Sequence, residues 1–328
     1  MKDETLNSEL LMNDPLRVSI NPATNRSPVN DGFEYREQVG SDGDARTVLS
    51  YLSHRYPHSS PAEWAMRIQS GRVLVDSRLA QYGTILHAGC HLVWHRPPWI
   101  EPDAPRSFSI LYEDDDVLAV SKPAGLPTLP GANFLQATLL YLVRTYAPDA
   151  VPLHRLGRWT SGLVLCARNP HAQRALMQQW SANTIGKRYR ALAAGLPSWD
   201  EMTITTPIGP VSHPLLRSLH AASPQGKPSR SHVTVLERHA DSFLCDVRIA
   251  TGRPHQIRIH LASKGHPLMG DPLYGPGGLP APDSRALPGD PGYHLHAAEL
   301  IFLHPGTGRE VVLECEPPPL LRCMTEMR

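Results

Sequence analysis

The sequence predicts an α+β protein in two domains, and three observations carry that prediction. Segments of strand character outnumber helical ones and do not alternate regularly with them, which argues against a doubly wound parallel sheet. A proline-rich stretch, PPWIEPDAP, separates a short arginine-rich region from a much longer one. The chain of 328 residues is long enough for one large domain and one small one.

Taken in order, residues 1–32 are polar, rich in Asn, Ser and Pro, and show no sustained periodicity, so a mobile tail is expected there. From Phe33 the pattern changes. Val48, Leu49, Leu52 and Tyr56 recur at helical spacing. A second short helix follows in SPAEWAMRIQSG, with Ser60 as N-cap, Pro61 at the first helical position and Gly71 closing it. RVLVD and HAGCHLVWH read as strands. The small domain is therefore bounded at 33–97, with a linker of restricted flexibility over 98–107 and the large domain over 108–328. In the large domain SILYEDD, VLAVSKP, GLVLCAR, RYRALAAG, SHVTVLER and FLCDVRIA have strand patterning. AQRALMQQW and HQIRIHLASKG look helical, and PGGLPAPDSRALPGDPG reads as a loop.

Composition excludes several function classes. The net charge is only +1, so no global basicity advertises a polyanion, although a local basic groove is what binding needs. Between Ala45 and Arg96, arginines 46, 55, 67, 72, 78 and 96 face two acids, Glu63 and Asp76, an imbalance suited to contacting phosphates. Arg67 and Arg72 are the RNA-binding candidates there. The five cysteines form no C-x-x-C pair, which points to reduced, packed thiols. No apolar run approaches the roughly 20 residues that span a bilayer, and the acidic first residues do not resemble a secretory or transit signal. A cytoplasmic protein that does not engage membranes is expected. His87, His91 and His95 recur every fourth residue, but Gly89 and the strand-like Leu92–Trp94 disfavour a helix that would align them. No metal is expected. No phosphate-binding glycine motif appears, so no nucleotide cofactor is indicated.

Four further blocks carry chemistry: ILYEDDDVLAVSKPAGLPTLPG, HRLGRWTSG from His154 to Gly162, GKRYRALAAG around Tyr189, and TGRPHQIRIHLASKGHPLMGDPLYG from Thr251 to Gly275, with LHAAELIFLHP closing the series. Their arginines offer forked donors for phosphates and base edges. Gly162, Gly252 and Gly270 would permit tight turns or close backbone approach. In this order the blocks resemble the RluA-type RNA pseudouridine synthases, and the helix–helix–strand–turn–strand region before them is similar to the S4 RNA-binding module.

The resemblance implies a pseudouridine synthase catalytic domain with a central, mainly antiparallel mixed sheet flanked by helices, beside a small S4-like module. It implies a monomer that isomerises uridines in ribosomal or transfer RNA without a cofactor. Arg155 would help hold the flipped base, Tyr189 would pack against it, and Arg258 would pair with the catalytic aspartate. His154, Thr160, Arg253, His255 and Gln256 match the motifs around them and, with Lys122 of KPAG, are candidates for RNA contact.

Here the chain departs from the pattern: Gly157 stands where that family keeps its aspartate. Breaking a glycosidic bond builds positive character on the sugar, and a carboxylate beside it can stabilise that charge, attack C1′ or take a proton. Glycine can do none of these. Either a carboxylate comes from elsewhere, with Asp271 and Asp246 as nominees, or the protein is a catalytically silent RNA-binding protein or RNA chaperone on the same fold. The surrounding HRLGRxTSG pattern, found in some branches of the family, disfavours an accidental change. In both cases Arg258 requires a substitute carboxylate within about 4 Å or exposure to water. A glycosidase of free sugars would need two acids flanking one bond, and no such pair is evident.

Overall fold

The computed structural model describes residues 16–19, 29–281 and 285–326. The chain divides into two compact units, a smaller one over Ala23–Glu101 and a larger one that takes Pro102 onward together with the strand Leu16–Ser19.

In the smaller unit, two helices pack on a four-stranded antiparallel sheet ordered Phe33–Gln38, His91–Arg96, Val73–Val75, Arg78–Leu79. Both helices start on side-chain caps. Thr47 accepts from the Ser50 amide ahead of Val48–Arg55. Ser60 and Glu63 form a reciprocal capping box at Pro61–Gln69, which satisfies donors that would otherwise be orphaned. The apolar faces of these helices meet the sheet around Tyr51, Leu52, Trp64, Ile68, Val73 and Leu92. Arg67 is drawn into this packing: its guanidinium lies 4.4 Å from the Trp64 ring and 4.6 Å from that of Trp94, and Nη1 donates to Ser59. Its cation is thus partly spent on the fold, a correction to its reading as a free phosphate contact. Arg72 is half-buried, and its side chain has no partner among the described residues.

The larger unit is built on one mixed sheet. Its order is Leu16–Ser19, Ser107–Glu113, Val117–Lys122, Ser161–Ala167, Leu295–Leu303, Gly186–Ala194, Ser242–Ile249, Ser231–Arg238, Glu201–Ile204. Pairing along this path is antiparallel except where Leu295–Leu303 runs parallel to Ser161–Ala167. Gly162 makes that parallel contact possible, because its φ is +105° and a Cβ there would lie 2.2 Å from the Ala297 carbonyl oxygen. Gly252, by contrast, has open space around it. The helices Leu139–Tyr146 and Pro170–Ser181 cover a core of Val117, Leu118, Leu139, Val143, Leu163 and Leu176. The helix Gln256–Ser263 covers a second core of Ala191, Val233, Phe243, Val247, Ile257 and Leu261.

The expected strands and helices are present. Leu16–Ser19 corrects the tail over 1–32: it pairs with the edge strand Ser107–Glu113, a match that four residues are too few to announce by periodicity. The rest of that tail, 1–15 and 20–28, lies outside the described residues. The break between units falls within PPWIEPDAP. The sequence reading left out the helix Leu139–Tyr146 and the hairpin Ile208–His213 with Arg217–Ala222. All five cysteines are free thiols.

Candidate active site

Two loops present the HRLGR segment. Lys122 closes its strand with a fully buried side chain, and Nζ donates to the carbonyls of Pro123 (2.9 Å), Leu126 (2.7 Å) and Arg158 (3.2 Å). Burial lowers its pKa to about 7. This corrects its reading as a phosphate contact, since every direction of the ammonium is occupied by the protein's own backbone. Arg158 returns the link by donating to the Gly125 carbonyl, and Thr128 bonds both the amide and the carbonyl of Leu156.

His154 is also a support. Its Nε2 accepts from the Leu165 amide at 3.0 Å, and its ring stacks on Trp180 at 4.5 Å. Burial, reinforced by Lys187, lowers its pKa to about 3, so it stays the neutral acceptor this bond requires. What these contacts hold up is a turn on which Arg155 and Gly157 are both exposed. Arg155 has no hydrogen bond or ion pair among the described residues. Thr160, read as an RNA contact, is instead 4% exposed and lies beneath that turn.

The opposing wall comes from the helix Gln256–Ser263 and the segment after it. Arg258 is buried and forms a two-pronged pair with Asp271, Nε to Oδ2 and Nη2 to Oδ1, both at 2.7 Å. The predicted need for a substitute counter-charge is thus met. Burial works against the Arg258 charge, but the bonds and charge of Asp271 outweigh it and hold the pKa above its ordinary value. Asp271 also accepts from the amides of Leu273 and Tyr274, and its side chain has no exposed surface. Its oxygens are committed, so it balances a charge and does not reach a substrate.

Asp246 is excluded by alternation. It pairs in register with Arg190 and bonds Arg188 and Arg190, on the face of the sheet opposite Tyr189, whose neighbour is Val247. Neither nominated carboxylate reaches the exposed turn, and they form no acid pair of the kind a glycosidase uses.

Gln256 proves to be an organiser of the TGRP turn. Its Oε1 accepts from Thr251 and the Arg253 amide, and its Nε2 donates to the Arg230 carbonyl and Ser231, so it is not available to RNA. Arg253 keeps one bond, to the Pro228 carbonyl, and is half-exposed. His255 lies 2.7 Å from the Tyr274 hydroxyl, which itself donates to the His220 carbonyl at 2.6 Å. Nδ1 of His255 must therefore be the donor. Burial and the neighbouring Arg258 lower its pKa to about 3, leaving a neutral ring with a free Nε2 acceptor.

Tyr189 is half-buried between the two cores, and burial raises its pKa to about 12, so it remains a neutral phenol with a flat face. Sequence reasoning missed Tyr293. Its ring lies 4.2 Å from the Arg258 guanidinium, and its hydroxyl is 3.4 Å from Thr160. Nothing in PGYHLHAAEL marks that tyrosine as a site residue.

Tyr293 links the two parts of the site, with its hydroxyl at the HRLGR turn and its ring on the Arg258 guanidinium. The chain belongs to the RluA-type RNA pseudouridine synthases. The family model described as RNA pseudouridylate synthase matches residues 116–263. RNA pseudouridine synthase 5 of Arabidopsis thaliana is 39% identical over 90% of this chain and 96% of its own length. Ribosomal large subunit pseudouridine synthase D of Pseudomonas aeruginosa is 34% identical over 88% of this chain and 94% of its own. Among solved structures, human RNA pseudouridylate synthase domain containing 1 has 27% identity and a TM-score of 0.54, covering 67% of this chain and 87% of that one.

Proposed function

We propose that the protein isomerises uridine to pseudouridine in RNA, with large-subunit ribosomal RNA as its substrate. One observation carries the reading. Although residue 157 has no carboxylate, Arg258 is still buried, charged and neutralised, now by Asp271. A fold that had only to bind RNA would have no use for a desolvated ion pair at this point, since such pairs contribute little net stability.

In this reading Arg155 enters the space left by the extruded nucleotide, Tyr189 stacks against the uracil, and Arg253 meets the backbone phosphates. The arginines of the Ala23–Glu101 unit, Arg72 among them, add sequence-independent affinity in the manner of an S4-like module. The preference for ribosomal RNA is supported by the module and by the ribosomal relative.

Deproteinised total RNA from cells deleted for the gene, incubated with the purified protein and mapped for pseudouridine, tests the reading. New pseudouridine in large-subunit ribosomal RNA is expected. Modification seen only with a Gly157→Asp variant would show that the native chain is a silent binder.

A further inference from the structure

Asp271 and Asp246 are committed to arginines, and Asp290, near Arg158, accepts from the Leu287 amide. A different polar group lies against position 157. An ideal Cβ built on Gly157 would lie 2.8 Å from the Tyr293 hydroxyl oxygen and 3.4 Å from Thr160 Oγ1. The phenolic oxygen therefore occupies the start of the path that a side chain at position 157 would follow. Gly157 itself is exposed, so this spot lies directly under the open face of the HRLGR turn.

The placement of Tyr293 is built. Gly292 has φ +131°, and a Cβ on it would lie 2.2 Å from the Gly270 carbonyl oxygen. Gly270 has φ +74°, and a Cβ on it would lie 2.4 Å from the Gly292 carbonyl oxygen. Only two bare backbones can cross this closely. The next residue on each side of the crossing is Asp271 and Tyr293, so one crossing sets both the counter-charge of Arg258 and the ring against its guanidinium. Tyr293 is 4% exposed and packed among Ile257, Leu261 and Leu295, with Trp159 and Tyr189 at the margin of the same cluster. Its ring cannot swing freely, and its oxygen is fixed between Thr160 and the bare Gly157.

We propose that Tyr293 is a catalytic residue of this chain, its phenolic oxygen acting at C1′ of the target uridine in place of a side chain at position 157. The inference rests on the isomerisation proposed above. Tyrosine is a competent nucleophile at an anomeric carbon, as in sialidases. In the first step Oη bonds to C1′ while the C1′–N1 bond breaks, and the phenolic proton passes to N1 of the departing uracil. The uracil turns within the pocket of Tyr189. C5 then attacks C1′, the Oη–C1′ bond breaks, and the hydrogen from C5 returns to Oη as the ring regains its double bond. One proton leaves the phenol and one comes back, so the product is an isomer and no co-reactant is consumed. Arg258 sets a positive charge over the face of the ring whose oxygen carries the passing negative charge.

The test uses the full chain and total RNA from cells deleted for the gene, with single-turnover rates of pseudouridine formation. Tyr293→Phe keeps the ring against Arg258 and removes only the oxygen. The expected rate loss is at least roughly 10³-fold, with RNA affinity by filter binding within about threefold and an unchanged melting temperature. The double variant Gly157→Asp/Tyr293→Phe puts a carboxylate into the space the oxygen leaves. It should recover at least roughly tenfold over Tyr293→Phe. A merely structural hydroxyl does not predict the recovery.

A Tyr293→Phe rate within tenfold of wild type overturns the assignment of Tyr293 and leaves the isomerase reading intact. Wild-type protein that forms no pseudouridine overturns both. If Tyr293→Phe does not fold, the double variant decides: a folded double variant that forms no pseudouridine refutes the proposal.

Discussion

Substituting Asp271 separates a counter-charge from a catalytic group. The Arg258 and Asp271 side chains are 3% and 0% exposed, so neither charge has access to water. In Asp271→Asn the shape is kept and one oxygen becomes an amide nitrogen. Oδ1 accepts from Arg258 Nη2, Leu273 N and Tyr274 N, and Oδ2 accepts from Arg258 Nε. In the less damaging orientation the new NH₂ replaces Oδ2 and sets a donor against a donor. Arg258 is then left buried with no full negative partner. Removing one member of a buried pair costs about 3–5 kcal/mol. In a unit of this size each kcal/mol shifts the melting temperature by about 2–4 °C, so Asp271→Asn should melt roughly 6–20 °C below wild type.

Differential scanning calorimetry with a urea titration reads this directly. Arg258→Met/Asp271→Leu, which removes both charges, should recover a large part of the loss while staying inactive. A stable Asp271→Asn protein, melting within about 2 °C of wild type, that had lost all activity would refute the reasoning. That pattern would make Asp271 the reacting carboxylate.

Arg155→Ala should slow pseudouridine formation about 10–100-fold while shifting stability by less than about 0.5 kcal/mol, because the side chain is exposed and unpaired; kinetics and thermal melts check the two halves. Lys122→Met should lower the melting temperature, as three carbonyls lose their donor, but leave the slope of log affinity against log salt concentration unchanged in RNA titrations. A slope reduced by about one would restore Lys122 as a phosphate contact. His260 and His296 are fully buried with pKa values lowered to about 4 by burial, so the unfolded chain binds protons at these positions before the folded chain does. Stability should therefore fall as the pH drops from about 6.5 towards 4, by roughly 2 kcal/mol per histidine at pH 5. Urea midpoints measured across that range check it, and His296→Gln should flatten part of the slope.

The elements that could be read from sequence were those with a strong local signature. The capping box at Ser60 and Glu63, the strands of VLAVSKP and FLCDVRIA and the helix over HQIRIHLASKG each announce themselves within a dozen residues. Leu16–Ser19 exists only because the distant strand Ser107–Glu113 accepts it. The hairpin Ile208–His213 with Arg217–Ala222 is similarly quiet: its alternation is weak, and Pro210 and His220 interrupt it. Motif residues were legible as a group and not by role. His154 and Thr160 share a block with Arg155, and Gln256 shares one with Arg258, and a block cannot say which of its polar residues face inward. Only the hydrogen-bond partners do. Lys122 is the sharpest case, since a lysine beside Pro-Ala-Gly reads as a solvated turn and is instead fully buried.

The counter-charge of Arg258 was legible for a different reason. A buried guanidinium must have a partner, whatever the motif says; that necessity called for a carboxylate without naming it, and Asp271, nominated as a reacting carboxylate, proves to be the counter-charge instead. No comparable necessity points to Tyr293. A neutral phenol incurs no such penalty when unpaired, so its place in the site follows only from the crossing of Gly270 and Gly292, two residues 22 positions apart whose close approach is a tertiary fact. The same crossing explains why a single substitution at position 157 should not simply restore a carboxylate. With Tyr293 in place, a Cβ at 157 meets its oxygen at 2.8 Å, and the ring that bears that oxygen is wedged against Arg258 and the core. Gly157 and Tyr293 are therefore one structural decision made at two positions. Either can be changed alone only at the other's expense, and Gly157→Asp in the native background should disturb the Tyr293 ring before it adds any chemistry.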